Sequence, residues 1–335
     1  MRLVVALLLA ICPIAAASPD SLAVLFVGNS HVHTNDLPGM FSLLAQAGAK
    51  HAMVDMSAPG GFWLEQHVVE PQTLEKIALG TWDYVALQEQ SQVPVIEHWR
   101  FNSMYPSIRT LDSMIQDHGC STALYMTWGW QDGGIHELGG HTSPEFRDYF
   151  HMQDSVSAAY RMIATELGAR LSPVGEAWAV ARRRDPLVEL WQSDKCHATV
   201  KGTYLAACTF YAALFESSPV GLNYTAGLDT ADARFLQLAA ERAVLVVSES
   251  EPPALSPAAF TARPNPFKQA VTLKGQGLFS VRIQDLQGRV VRHLEAQGSV
   301  LWDGTNSAGH KVPAGVYFAE PVPRTSPPQR LVLLR

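Results

Sequence analysis

Residues 23–36 read AVLFVGNSHVHTND and hold the feature that decides the fold. The apolar run Ala23–Val27 stops at Gly28, Asn29 and Ser30. A short, wholly apolar run is typical of a strand buried on both faces of a parallel sheet. In open α/β sheets, ligands bind at the carboxyl ends of the strands, so this polar turn is a candidate site.

Short apolar runs alternate with longer helical segments up to about residue 248. Apolar runs predict four more strands, at 52–56, 84–88, 122–126 and 170–173. Stretches with helical periodicity lie between and after them, at 38–49, 62–79, 101–118, 147–167, 199–215 and 230–247. Strands that alternate with helices at this spacing predict a parallel sheet covered by helices on both faces, a three-layer α/β/α domain.

Changes in composition divide the chain into four parts. Residues 1–17 combine Arg2, an apolar run and small residues at the end, which predicts a secretory signal peptide. Residues 20–248 form the α/β domain, and the Pro- and Ser-rich stretch 249–262 reads as a linker. Residues 263–335 alternate apolar and polar positions between Gly-rich turns, which predicts a small antiparallel β-sandwich. We therefore expect a secreted or surface-attached protein.

Charge and cysteine content exclude several classes of protein. The formal net charge is -6, so nucleic acid is not an expected partner. Three cysteines follow the leader, Cys120, Cys196 and Cys208, which leaves open either one disulfide with a free thiol or three buried thiols. No cysteine pair has the spacing of a zinc finger. We expect no metal and no cofactor.

The segment SDKCH, residues 193–197, pairs a carboxylate with an imidazole. Asp194 and His197 are three residues apart, so in a tight turn the carboxylate can hydrogen-bond the ring and fix its tautomer. His197 would then accept the proton of Ser30, which is a poor nucleophile without a base. The alternative is a capping Asp beside a surface His. His31 and His33 form an H-x-H pair that also occurs in metal-dependent amidohydrolases, but the region has too few strand–helix units for that fold.

Four short blocks together resemble the SGNH/GDSL hydrolase superfamily. They are Gly28-Asn29-Ser30 after the first strand, the Gly60-Gly61 pair after the second, an amide after the third and D-x-x-H near residue 195. The resemblance covers roughly residues 20–248 and implies a flavodoxin-like α/β/α fold. It also implies that Ser30 is the nucleophile, His197 the base and Asp194 the residue that orients the base.

The resemblance further implies an oxyanion hole. Its donors would be the backbone N–H groups of Ser30 and Gly61 and a side-chain amide in the third block. The superfamily usually has G-x-N-D in this block, whereas this chain reads LQEQS, so Gln90 stands at the position of the Asn. Gln88 or Ser91 are alternatives for the third donor.

The resemblance implies a secreted esterase that acts on acyl groups of carbohydrates, lipids or small esters. Export and the tryptophans near the strand ends, Trp63, Trp128 and Trp130, favour a carbohydrate carrying an acyl group such as acetyl. Packing is the alternative role for these tryptophans. The alternative functions are a non-catalytic surface protein that binds glycans and, less favoured, a lipase or thioesterase.

The segments VRIQDLQGRVVRHL and WDGTNSAGHKVPAGVYF resemble the Ig-like module of bacterial secreted proteins. Residues 260–335 are similar both to the flagellar-hook-capping Ig-like domain and to the sorting domain of type IX secretion. The partner implied is the secretion machinery or the cell surface, and the alternative is a simple accessory domain. Trp302, Val316 and Phe318 are the predicted core residues.

Overall fold

The computed structural model describes residues 19–249, 260–285, 289–322 and 329–334. The chain divides into two compact units, one ending at Val246 and the other beginning at Val247. The predicted signal peptide and most of the predicted linker lie outside the described residues.

The first unit is built on a five-stranded parallel sheet. The sheet strands are β1 (Ser21–Val27), β2 (His51–Ser57), β3 (Tyr84–Leu87), β4 (Ser121–Tyr125) and β7 (Arg170–Ser172). A separate short hairpin consists of β5 (Glu137–Leu138) and β6 (His141–Thr142). The sheet order is β2-β1-β3-β4-β7, and β5 pairs only with β6. This is the strand order of doubly wound, flavodoxin-like folds.

Helices cover both faces of this sheet. They are α1 (Ser30–His33), α2 (Leu37–Ala47), α3 (Leu64–His67), α4 (Pro71–Ala78), α5 (Glu97–Trp99), α6 (Tyr105–Asp117), α7 (Tyr149–Leu167), α8 (Val174–Arg184), α9 (Val200–Leu214) and α10 (Thr230–Glu249). Val24 and Phe26 of β1 pack in the core shared with α2, α8, α9 and α10. Leu25 and Val27 pack in the core shared with α6 and α7. The predicted three-layer α/β/α architecture is confirmed.

The structure corrects two helix predictions. The helix predicted over 62–79 is two helices, α3 and α4, because Pro71 follows Glu70, which is extended at ψ 115. A residue before proline is disfavoured in helical conformation, since the proline ring crowds it. Helix α8 is not among the predicted helices, although Val174, Ala177 and Ala181 repeat with helical spacing and are buried.

The second unit is an antiparallel sheet, as predicted. Its strands are β8 (Thr261–Arg263), β9 (Val271–Gln284), β10 (Val290–Trp302), β11 (Gly315–Val322) and β12 (Gln329–Leu333), in the order β10-β9-β11-β12, with β8 also paired to β9. The core includes Trp302, as predicted, and Tyr317. The predicted core positions Val316 and Phe318 are wrong. Successive side chains of a strand face opposite sides, and Tyr317 and Ala319 take the inner side.

No helix among the described residues is both long enough and apolar enough to cross a membrane. In the first unit the loops that follow β1, β2 and β3 all leave the same edge of the sheet, because the three strands are parallel. The residues of three predicted blocks therefore meet at that edge.

Candidate active site

The turn after β1 places Ser30 at the start of α1. Asn29 precedes the helix, and its Oδ1 accepts a hydrogen bond from the His31 N–H at 3.1 Å. A Cβ on Gly28 would lie 2.3 Å from Gln88 Oε1, so this position requires glycine. The same Gln88 oxygen accepts the Asn29 N–H at 2.9 Å. The turn is therefore held by its own cap and by the loop after β3.

Asn29 also connects the turn to the loop after β2. Its side-chain amide donates to the Phe62 carbonyl oxygen at 2.8 Å. Phe62 follows Gly61, which adopts φ +75, a conformation that favours glycine. Asn29 thus fixes the position of the Gly61 loop relative to Ser30.

The structure brings Ser30, His197 and Asp194 together as a continuous hydrogen-bonded series. The Ser30 hydroxyl lies 2.8 Å from His197 Nε2. The other ring nitrogen, Nδ1, lies 2.5 Å from Asp194 Oδ2. Because the carboxylate can only accept, Nδ1 carries the hydrogen and Nε2 is left to accept the Ser30 proton. This is the arrangement that activates a serine hydroxyl as a nucleophile.

The Asp194 carboxylate is stabilised as an anion. Desolvation alone would raise the pKa of Asp194, but the Cys196 N–H and the ring and backbone N–H of His197 lower it to about 2. The two backbone donors reach Oδ1 at 3.0 Å and 2.9 Å, and they leave Oδ2 for the ring. Asp194 therefore stays charged over the whole range in which a histidine can act as a base.

The loop that carries His197 is attached to the loop after β4. Trp128 Nε1 donates to the Cys196 carbonyl at 2.8 Å, and the Gln131 N–H donates to the Lys195 carbonyl at 3.0 Å. The Lys195 ammonium also pairs with Asp132 at 2.5 Å. These contacts hold the His197 loop against the loop that follows β4.

The three predicted substrate-contacting tryptophans have different environments. Trp128 is only 1% exposed and its ring stacks on Trp178 with a centroid distance of 4.0 Å, so it cannot present a face to a substrate. For Trp128 that prediction is wrong, because its indole packs under the His197 loop. Trp63 and Trp130 are half-buried. Trp130 Nε1 donates to Ser91 Oγ at 3.1 Å, whereas Trp63 packs edge-to-face on Trp99 at 5.1 Å.

Two backbone donors are available for an oxyanion. The N–H groups of Ser30 and Gly61 make no hydrogen bond among the described residues. Ser30 opens α1 after the Asn29 cap, and Gly61 lies in the loop that Asn29 fixes. Free N–H groups held by rigid neighbours are what a developing oxyanion requires.

The prediction for Gln90 is not supported by the structure. Its Oε1 accepts the backbone N–H groups of Gln92 and Val93 at 2.7 Å and 3.3 Å, and its Nε2 donates to Gln92 Oε1 at 3.2 Å. Gln88 is occupied as well, since Nε2 donates to the Glu89 carbonyl at 2.5 Å. The amides of the third block are engaged in holding their own turn and the Ser30 turn.

We expect Gln90→Ala to lower stability rather than catalysis. Loss of an oxygen that caps a turn costs about 0.5–2 kcal/mol, and turnover of an aryl acetate should change by less than about threefold, the factor for well under 1 kcal/mol of barrier. Chemical denaturation and steady-state kinetics on the same preparation measure both effects. A loss of about 100-fold in kcat with unchanged stability would return the donor role to Gln90.

His31 is a site residue that sequence reasoning did not identify as one. It is buried, and its ring centroid lies 5.4 Å from that of His197 and 4.7 Å from that of Trp128. Burial, with the nearby His197 charge, lowers the pKa of His31 to about 3. His31 therefore stays neutral when His197 takes a proton, and the proton remains on the histidine that contacts Ser30.

Among the described residues, no group of three or more His, Cys, Asp or Glu side chains is arranged to hold a metal ion. His33 Nδ1 donates to the Ala58 carbonyl at 2.8 Å. Cys120, Cys196 and Cys208 are all buried free thiols. Of the two arrangements that the sequence leaves open, the structure has the three unpaired cysteines.

Comparison with known proteins identifies the fold. No protein-family model matches the chain, and no curated protein matches it in sequence. A DUF4886 family protein from Bacteroides uniformis has a similar structure, with a TM-score of 0.57 and 22% identity over 69% of this chain and 97% of its own. This likeness, together with the strand order, confirms the predicted flavodoxin-like α/β/α fold.

Other solved structures match with lower TM-scores. One is a protein from Slackia heliotrinireducens assigned to the SGNH hydrolases, with 23% identity over 58% of this chain and 98% of its own and a TM-score of 0.47. Another is the psychrotrophic esterase EstA from Pseudoalteromonas, with 14% identity over 58% of this chain and 97% of its own and a TM-score of 0.41.

Proposed function

We propose that this protein is an esterase that uses Ser30 as nucleophile, His197 as general base and acid, and Asp194 to orient the histidine. The observation that carries the proposal is the series of bonds from Ser30 Oγ to His197 Nε2, at 2.8 Å, and from His197 Nδ1 to Asp194 Oδ2, at 2.5 Å. The two free backbone N–H groups beside it add the second element that acyl transfer requires.

Acylation begins when Ser30 Oγ attacks the carbonyl carbon of the ester and its proton passes to His197 Nε2. The carbonyl oxygen becomes an oxyanion, which accepts hydrogen bonds from the N–H groups of Ser30 and Gly61. Asp194 stabilises the imidazolium that forms. His197 then gives its proton to the alcohol oxygen, the C–O bond breaks, and the acyl group remains on Ser30.

Deacylation repeats these roles with water in place of the serine. His197 removes a proton from the water as it attacks the acyl carbonyl, and the same two N–H groups hold the second oxyanion. The proton returns to Ser30 Oγ when the bond to the acyl group breaks. The net reaction is ester plus water to carboxylic acid plus alcohol, with no cofactor.

We further propose that the substrate is a carbohydrate carrying an acyl ester, and that the protein is exported. The leader-like residues 1–17 support export, and the resemblance of residues 260–335 to sorting and Ig-like modules supports attachment to a surface or passage through a secretion system. Half-buried Trp63 and Trp99 support a sugar, because their rings contact each other edge-to-face and follow strands β2 and β3, whose carboxyl ends lie at the edge of the sheet that carries Ser30. Aromatic faces provide large, rigid contact area for such ligands.

The substrate proposal predicts a selective effect of Trp63→Ala. Losing one aromatic contact should reduce kcat/KM for an acetylated oligosaccharide about tenfold relative to that for an aryl acetate, since about 1.4 kcal/mol corresponds to a factor of ten. The ratio of the two constants cancels any loss of folded protein. Trp82→Phe is a suitable control, because Trp82 precedes β3, at the opposite edge of the sheet. An unchanged ratio would indicate that the acyl group is carried by a molecule other than a carbohydrate.

The proposed function is tested with a panel of acylated sugars, short-chain esters and long-chain esters. We expect hydrolysis of aryl acetates and of acetylated sugars, with lower turnover of long-chain esters. Binding of glycans without hydrolysis of any ester would instead establish a non-catalytic surface protein. Turnover confined to long acyl chains or thioesters would establish a lipase or thioesterase.

A further inference from the structure

Glu89 is a buried acid that the proposed mechanism does not use. It lies two residues after β3, and its side chain is fully buried. One carboxyl oxygen, Oε1, accepts hydrogen bonds from the N–H groups of Leu64 at 3.2 Å and Gln90 at 2.7 Å. The other oxygen, Oε2, is buried without a hydrogen-bond partner among the described residues. Burying a charged carboxylate oxygen without a partner costs free energy, so the buried position of Glu89 requires an explanation.

The hydrogen bonds of Glu89, together with those of Gln88 and Asn29, connect the loops that follow β1, β2 and β3. Leu64 begins α3, three residues after the candidate oxyanion glycine. Gln88, beside Glu89, accepts the Asn29 N–H at 2.9 Å, and Asn29 donates to the Phe62 carbonyl at 2.8 Å. The loop after β3 thus holds the loop after β1 through Gln88 and the loop after β2 through Glu89. Both loops that supply the free N–H groups are attached to this one segment.

We propose that Glu89 is a positioning residue for ester hydrolysis, which in its neutral form holds the Gly61 loop in place for the oxyanion and which abolishes hydrolysis when it ionises. The inference rests on the proposed function of the Ser30 site. A neutral carboxyl group can accept two N–H bonds through one oxygen and carry its proton on the other. The ionised form adds a negative charge to the segment that fixes the oxyanion donors, and like charge opposes a developing oxyanion.

The surroundings of Glu89 favour its neutral form. Burial raises the pKa of Glu89 to about 8, although the N–H groups of Gln90 and Leu64 lower it. The charged group that faces it from α3 is Glu65, which raises its pKa further. From α7 the Tyr160 hydroxyl accepts the Glu89 N–H at 3.1 Å, and burial keeps the pKa of that phenol above its ordinary value. The acid is therefore protonated at neutral pH and ionises in mild alkali.

The test compares Glu89→Gln with Glu89→Ala in the pH dependence of kcat for an aryl acetate. Glutamine keeps Oε1 as the acceptor of both N–H groups and cannot ionise. We expect the wild-type kcat to fall above about pH 8, whereas Glu89→Gln equals the wild type at pH 7 and keeps that value to pH 10. Glu89→Ala should lose about 100-fold in kcat at unchanged KM, because the oxyanion donors are displaced. An alkaline fall in Glu89→Gln like that of the wild type, or a wild-type kcat in Glu89→Ala, would overturn the proposal.

A matched control and a labelling experiment separate this proposal from the proposed function. Glu176→Gln makes the same substitution at an acid paired with Arg161 at 2.8 Å, and it should leave the pH profile unchanged. Labelling of Ser30 by a fluorophosphonate reports the nucleophile independently of Glu89. If the wild type is labelled and hydrolyses esters while Glu89→Gln keeps the alkaline fall, only the Glu89 proposal fails. If the wild type is neither labelled nor active on any ester, both fail.

Unfolding measurements test the neutral acid without reference to activity. A pKa raised from 4.5 to about 8 means that the wild type loses stability as the pH rises through this interval, because the unfolded chain releases the proton first. Glu89→Gln lacks this loss. Its urea midpoint should therefore exceed that of the wild type at pH 7, and the two should converge at pH 4. The same difference at both pH values would contradict the proposal.

Discussion

Ser30→Ala is expected to abolish ester hydrolysis, with kcat for an aryl acetate reduced by about 10⁴–10⁶-fold. The reason is that Ser30 Oγ is the atom that attacks the carbonyl, and no other hydroxyl is placed against His197 Nε2 in the described part of the chain. The residual rate comes from the two backbone donors and from binding alone. Steady-state kinetics on protein free of contaminating esterase measures the effect, with circular dichroism to show that the fold persists.

A control for this substitution exists in the same sheet. Ser121→Ala removes an exposed hydroxyl at the start of β4, at the opposite edge of the sheet from Ser30. We expect it to retain wild-type kcat within about a factor of two, which is less than 0.5 kcal/mol of barrier. If Ser30→Ala also retained wild-type kcat, the nucleophile would have to be another residue.

Asp194→Asn is expected to reduce kcat about 10⁴-fold while leaving the turn intact. The Asn oxygen can still accept the N–H groups of Cys196 and His197, which reach Asp194 Oδ1 at 3.0 Å and 2.9 Å. The new NH₂ group, however, faces His197 Nδ1, so the ring must place its hydrogen on Nε2. In that tautomer Nε2 cannot accept the Ser30 proton.

Asp132→Asn provides the matched control for this change. It breaks the ion pair with Lys195, whose side chain and that of Asp132 are 56% and 62% exposed. Exposed pairs contribute about 0–1 kcal/mol, so kcat should change by less than about threefold. The pair of variants is compared by kcat and by thermal unfolding. If Asp132→Asn and Asp194→Asn lost equal fractions of kcat, the conformation of the whole loop, and not the tautomer of His197, would determine the rate.

The fold is predictable from the sequence because several of its strands are short and largely apolar. Runs such as Ala23–Val27 can be satisfied only by burial on both faces, and the observed strand Ser21–Val27 contains that run. The helix predicted over 62–79 is wrong, because a single proline outweighs a helical pattern. The core of the second unit is misassigned by one residue at Val316, since an error of one position exchanges the two faces of a strand.

The candidate site is predictable where its geometry is local. Asp194 and His197 are close in sequence, so their contact depends on one turn, and a polar residue at the end of a buried strand has to lie at the edge of the sheet. The roles of the loop residues are harder to predict from the sequence. Gln90 has the right chemistry for a donor, but its Nε2 donates to Gln92 Oε1, and its oxygen accepts backbone N–H groups two and three residues later.

The roles of Trp128 and Glu89 depend on the burial of their side chains, which a single sequence does not reveal. Trp128 lies in a Gly-rich loop that suggests exposure, yet its ring stacks on Trp178 beneath the His197 loop. Glu89 looks like an ordinary loop acid, although it is fully buried. One signal was available, because a charged residue that interrupts a buried strand end is unusual. Its two backbone donors, one of them 25 residues earlier in the chain, become known only from the fold.

Covalent labelling tests the central claim, that Ser30 is an activated nucleophile, most directly. The intact protein is treated with a fluorophosphonate, digested and analysed by mass spectrometry. The account predicts one adduct, on the peptide that contains Ser30, formed by wild-type protein and not by Ser30→Ala, and a greatly reduced labelling rate in Asp194→Asn. An adduct on a different residue, or ester turnover that continues in protein with no labelled Ser30, would contradict it.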